Sequence, residues 1–120
     1  MTAGNVAKKR SKYHNKKVTI DGRTFDSKAE AAYYQELKLR LKAGDIKGFG
    51  CQPRIMLLPG FTKHGRKIRP VTYIADFIIE HNDGSIEYID VKGMETEVFK
   101  LKRKLFDYFH PEETLTIVRR

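Results

Sequence analysis

Hydrophobic and polar positions change period several times along the chain. Val18–Phe25 carries β-formers on both sides of Asp21-Gly22 and predicts a short hairpin. After Asp26-Ser27 the period lengthens. Ala29, Ala31, Ala32, Tyr33, Tyr34, Leu37, Leu39 and Leu41 predict a helix that stops near Ala43-Gly44, with the glycine as its C-cap. Ser27 and Glu30 have the spacing of a capping box at its start. Ile46–Leu58 is a β candidate made irregular by Gly48, Gly50 and Pro53. Pro59-Gly60 turns the chain into a basic loop, Phe61–Lys67, with a second turn signal at His64-Gly65. From about Ile68 to Lys92, two β-rich runs flank Asn82-Asp83-Gly84, the strongest hairpin signal in the chain. This reading puts Asp76 in the middle of the first run, among Ile74, Phe77, Ile78 and Ile79. Glu95–Tyr108 predicts a second helix, with Val98, Leu101, Leu105 and Tyr108 at helical spacing and Glu95 and Glu97 in the first turn. His110-Pro111 closes it, and Leu115–Val118 is a last short strand. Strands clustered between two helices predict an α/β or α+β chain built on one mixed sheet.

Charge sharpens this picture. The net charge is +9 over 120 residues, and the positive residues are grouped. Residues 1–17 hold Lys8, Lys9, Arg10, Lys12, Lys16 and Lys17 without an acid, and residues 63–69 hold Lys63, Arg66, Lys67 and Arg69 without one. The last helical pattern adds Lys100, Lys102, Arg103 and Lys104. Grouped positive charge predicts a polyanion partner, nucleic acid above all, against the plainer reading of solvated surface. Residues 1–15 read as a basic flexible arm ahead of one folded domain over residues 16–120. No apolar run approaches the roughly 20 residues of a membrane span, and no apolar stretch follows the N-terminal charges as in a signal peptide. Cys51 is the only cysteine, which excludes an internal disulfide and a cysteine-based zinc site and fits a cytoplasmic setting.

The candidate chemistry lies in the central hairpin. Side chains alternate along a strand, so Asp90 and Lys92 share a face. Asp76 among apolar neighbours is costly unless something pairs with it. Two carboxylates and a lysine on one sheet edge could hold a hard divalent cation and a water. On the first helix, Tyr34, Leu37 and Leu41 fall within about 40° of Glu30, so Glu30 lies on the apolar stripe. Two readings stand for it: a capping-box residue bonded to its own helix start, or a third acid beside Asp76 and Asp90. Asp76 also reads as a structural acid, and Asp90 with Lys92 as a surface ion pair.

These residues resemble the PD-(D/E)xK nuclease superfamily. Ala75-Asp76-Phe77 matches the aspartate of its first strand, with Ala75 where the pattern often has proline, and Asp90-Val91-Lys92-Gly93 matches the (D/E)-x-K strand. Phe25–Glu30 resembles the Ser-x-x-Glu helix start of TnsA-like transposase endonucleases and some phage nucleases, and Gln52-Pro53 before an apolar strand is similar to the same group. The match spans about residues 18–118. It implies a restriction-endonuclease-like core, a central mixed β-sheet flanked by helices, carrying a Mg2+-dependent phosphodiesterase site in which Mn2+ can substitute. Asp76 and Asp90 would be the principal metal ligands, with the Val91 carbonyl and Glu30, while Lys92 would position the attacking water and stabilise the transition state.

The expected activity is therefore metal-dependent endonucleolytic cleavage of DNA, on branched or recombination and replication DNA in a phage-type or resolvase-type setting. The alternative is a non-catalytic basic nucleic-acid-binding protein. Symmetric cutting of two strands by so small a chain would need a C2 homodimer.

Overall fold

The computed structural model describes residues 16–120, so the expected basic arm over residues 1–15 lies outside the described residues. The fold is α+β, with two helices among the described residues, which divide into two compact units, 16–39 and 40–120.

In the first unit, β1 (Val18–Ile20) and β2 (Arg23–Phe25) form the predicted antiparallel hairpin. Asp21 at φ 54 and Gly22 at φ 77 are both left-handed, as a two-residue turn that follows the strand twist requires. Helix α1 (Lys28–Lys42) starts here. Ser27 Oγ accepts the Glu30 N–H at 3.0 Å, which satisfies one of the free donors of the first turn. Tyr34 Oη and Lys38 Nζ both donate to Asp21 Oδ2, at 2.8 and 2.6 Å, and the Tyr34 ring lies 4.9 Å from that of Phe25. These contacts fasten the helix to the hairpin turn. Glu30, Tyr34 and Leu37 are buried as the periodicity predicts, but the stripe ends there: Leu39 and Leu41 are exposed.

The second unit opens with the end of α1. Gly44 sits at φ 82, its N–H bonds Leu41 O, and the Asp45 N–H bonds Arg40 O, the paired bonds of a glycine C-cap. Next come β3 (Gly48–Cys51), β4 (Arg54–Leu58), β5 (Phe61–Lys63), β6 (Arg66–Ile68), β7 (Val71–Ile74), β8 (Phe77–Glu80), β9 (Ile86–Lys92), helix α2 (Glu97–Phe109) and β10 (Thr114–Arg119). The main sheet has the order β10-β9-β8-β3, with β10 parallel to β9 and the other pairs antiparallel. It is the expected mixed sheet.

Beyond this sheet the chain forms one long bent ribbon. β3 pairs with β8, β4 with β7, and β5 with β6. The first bend falls at Gln52-Pro53 opposite Ala75-Asp76. Gln52 takes a left-handed φ of 53, Pro53 has no N–H to give, and two backbone bonds hold the bend, Gln52 N–H to Asp76 O at 2.9 Å and Ala75 N–H to Pro53 O at 3.2 Å. Asp76 therefore sits in a break between two strands, not mid-strand as its apolar neighbours suggested. The second bend lies at Pro59-Gly60 and Arg69-Pro70. There a Cβ on Gly60 would come within 3.1 Å of Ile68 O and of the Pro70 ring, so any larger residue would crowd the two chains where they pass. The predicted basic loop at 61–67 is in fact the β5–β6 hairpin, closed by His64 at φ 51 and Gly65 at φ 76.

Ile55, Leu57, Tyr73, Ala75, Phe99, Phe106 and Leu115 form the core of this unit. Thr96 caps α2 by accepting the Phe99 N–H at 3.1 Å. At the other end, His110 stacks on Phe106 and bonds Met56 O through Nε2 at 2.7 Å, which ties the helix to β4. The buried side of α2 is Phe99 and Phe106. Val98, Leu101 and Tyr108, picked out by their spacing, are exposed, and the helix begins at Glu97 rather than Glu95. Glu95 precedes the cap and pairs with Arg119.

Candidate active site

The β8–β9 register ends at Phe77↔Ile89, and Asp76, just before it, lies against the end of β9 that carries Asp90. Asp76 is held at three points. Its N–H donates to Ile89 O at 3.0 Å, its carbonyl accepts from Gln52, and its Oδ2 accepts the Val91 N–H at 2.7 Å. The bend at Ala75-Asp76 makes this last bond possible, because it frees Asp76 from regular pairing while keeping it against β9. Asp90 is buried, 5% exposed, and its Oδ1 lies 3.2 Å from Lys92 Nζ. Lys92 in turn sits 4.2 Å above the centre of the Phe99 ring, whose face attracts a cation. The predicted sharing of a face by Asp90 and Lys92 is realised as a direct ion pair.

Burial pushes the Asp90 carboxyl above its ordinary 3.8, and the Lys92 ammonium offsets this only in part. The folded protein then holds the proton more tightly than the unfolded chain does. The stability Asp90 contributes is fully present below pH 3.8 and is lost as pH rises through the folded value. Asp90→Asn removes that ionisation. Its unfolding free energy relative to the parent is expected to rise as pH is raised above 3.8 in urea titrations. A difference that stays constant over this range would contradict the burial account.

Glu30 is also buried, at 5% exposed, in the first unit. Its Oε1 accepts the Asp26 N–H at 3.1 Å while its own N–H bonds Ser27 Oγ. This is the capping arrangement, displaced by one residue from the usual acceptance at the cap's own N–H. Among the described residues, no three His, Cys, Asp or Glu side chains gather in an arrangement that could hold a metal ion. Glu30 belongs to the first unit, and the acids of the second unit's site are Asp76 and Asp90.

Of the expected polyanion contacts, Lys8, Lys9, Arg10 and Lys12 lie outside the described residues. Lys16 and Lys17 are exposed beside β1, and Lys17 stands 4.0 Å from Asp26. Lys63, Arg66, Lys67 and Arg69 are all exposed on or beside the β5–β6 hairpin, with Lys63 and Arg66 paired across its tip. Phe99, the aromatic floor under Lys92, is not found by sequence reasoning, since nothing local links a helix residue to a strand lysine.

Residues 10–120 match the profile of a family described as "Protein of unknown function (DUF1064)". The chain belongs to the DUF1064 family. No curated protein and no solved structure matches it. In this DUF1064 chain the donor set suits a hard cation: two carboxylates, one of them buried, with the Val91 carbonyl next to Asp90 in the chain. Mg2+ is commonly bound by one or two carboxylates together with waters and substrate phosphate. No helix among the described residues of this DUF1064 chain is long and apolar enough to cross a membrane.

Proposed function

We propose that the chain is a metal-dependent endodeoxyribonuclease of PD-(D/E)xK type. The observation that supports this reading best is the fastening of Asp76 to the Ile89 and Val91 backbone on either side of Asp90, with Lys92 ion-paired to Asp90 two residues on. Asp76, Asp90 and the Val91 carbonyl are the residues that would hold Mg2+. When bound, Mg2+ lowers the pKa of a coordinated water and neutralises phosphate oxygens. The Val91 N–H fixes the Asp76 carboxylate in place. Asp90 holds the Lys92 ammonium at the site's edge, where its remaining N–H donors can orient a water or meet charge developing on phosphate. Glu30, bonded to its own helix start, is left out of this mechanism. A cytoplasmic setting belongs to the same reading.

The test is cleavage of supercoiled, flapped and four-way DNA with Mg2+ or Mn2+, with and without chelator. Cleavage that needs the metal supports the proposal, and cleavage that persists unchanged in chelator overturns it. A second reading, a non-catalytic nucleic-acid-binding protein, rests on the exposed positive side chains of the β5–β6 hairpin alone. It predicts salt-sensitive binding with no turnover in any metal.

Both readings make the β5–β6 hairpin an electrostatic grip on the polyanion. Replacing Lys63, Arg66, Lys67 and Arg69 together by alanine is expected to weaken duplex binding. The slope of log K against log salt should become shallower by about 0.9 for each phosphate no longer neutralised. Because all four side chains are exposed, the unfolding midpoint should hold. A slope equal to the parent's would remove the hairpin from the interface.

A further inference from the structure

The main sheet ends at β10, and among the described residues no strand pairs with its outer edge. A six-residue edge strand presents a row of N–H and C=O groups to any extended chain that reaches it. Folded proteins blunt such an edge with proline, lysine, a bulge or a very short strand. Thr114-Leu115-Thr116-Ile117-Val118 has none of these, and its pairing with β9 runs without a bulge. The charges lie at its two ends instead. Glu112 and Glu113 precede the strand and Arg119 and Arg120 close it, so residues 112–120 read two acids, five uncharged residues, two bases. That order is complementary to itself only when reversed. Two copies laid antiparallel about Thr116 bring Leu115 opposite Ile117, Thr114 opposite Val118, Glu113 opposite Arg119 and Glu112 opposite Arg120. Each of these matches occurs twice across a twofold axis. A parallel pairing in register sets acid on acid and base on base, which is destabilising.

We propose that β10 pairs with β10 of a second copy of this chain, joining two four-stranded sheets into one around a twofold axis. The pairing does not rest on the nuclease reading, but it bears on it. Asp90 lies level with Ile117, one residue from the axis. Residues opposite each other across strands share a face, and β9 stands three strand spacings from its copy. The two Asp90 residues would therefore lie roughly 15 Å apart on one face of the joined sheet. On the nuclease reading, that supplies the second site which cutting both strands needs.

The test is sedimentation of the full chain, free of nucleic acid and metal, over a range of concentrations. A dimer is expected, with exchange of alternate β10 amides slowing as it forms. Within one chain Glu113 meets His110 and Arg119 meets Glu95, so the variants are made at the outer match, where Glu112 and Arg120 are both exposed. Glu112→Arg and Arg120→Glu each turn two opposite-charge matches into two like-charge ones, and each should raise the dissociation constant about tenfold. Mixed in equal amounts, the two variants should pair with each other about as tightly as the parent does, since each then meets the opposite charge. A parent that stays monomeric at NMR concentrations overturns the proposal. So do parental dissociation constants in both variants, or a mixture no tighter than its components. Slow β10 exchange at every concentration would also overturn it, because a segment of the same chain would then cover the edge. A chain that dimerises in this way without cutting DNA loses the nuclease reading alone.

Discussion

On the proposed nuclease reading, Asp90→Ala is expected to lower Mg2+-dependent DNA cleavage by on the order of a thousandfold or more, because it would remove both a metal-holding carboxylate and the anchor of Lys92. The fold should survive, since the carboxylate is held above its ordinary pKa by burial and its ionised form is a cost to the folded state. Loss of activity with an unchanged or higher unfolding midpoint is thus the expected pair of results, measured by plasmid nicking and thermal denaturation on the same preparation. Asp76→Ala should lose activity comparably but also leave the Val91 N–H without its acceptor, so it should be less stable. Retained cleavage in Asp90→Ala would sink the nuclease reading.

Phe106→Ala is expected to cost about 3–5 kcal/mol of stability. The ring is fully buried, stacks on His110 at 5.1 Å and meets Tyr88 edge-on at 5.6 Å. Its loss opens a cavity where α2 meets β9 and also removes the stacking partner of His110, which ties α2 to β4. Tyr108→Ala, two residues along and 77% exposed, should change stability by no more than about 0.5 kcal/mol. Urea titrations of the two variants decide the matter, and equal losses would mean that the wrong side of α2 has been taken as buried.

That contrast shows where the sequence was legible. Local signals were: the Asp21-Gly22 turn, the Ser27 cap, the Gly44 C-cap and the Asn82-Asp83-Gly84 hairpin lie where turn and cap chemistry put them. Each depends on a few adjacent residues. The facing of α2 was not, because Val98, Leu101, Leu105 and Tyr108 form a regular apolar stripe while Phe99 and Phe106, one full heptad apart, form another. Spacing alone cannot rank two stripes, and the side that packs is settled by β4, β7 and β10. Within the candidate site, Asp90 and Lys92 followed from strand alternation. The position of Asp76 did not, since the bend depends on Gln52 and Pro53, more than twenty residues away in the chain. Glu30 was read both as a cap and as a third acid, and its bonds with Asp26 and Ser27 match the first of these.

The bent ribbon has a mechanical consequence. From the sheet outward it is a lever: β3–β8 is the fixed end, β4–β7 the packed shaft, and the exposed β5–β6 hairpin with its positive side chains the handle. The fulcrum is the bend at Gln52-Pro53 and Ala75-Asp76, so a candidate acid is itself part of the pivot. On the proposed reading, a polyanion on the handle would load the backbone bonds beside the one that aims Asp76 at Val91. On that reading, grip and aim would share one path through the chain, the bend at Gln52-Pro53 and Ala75-Asp76.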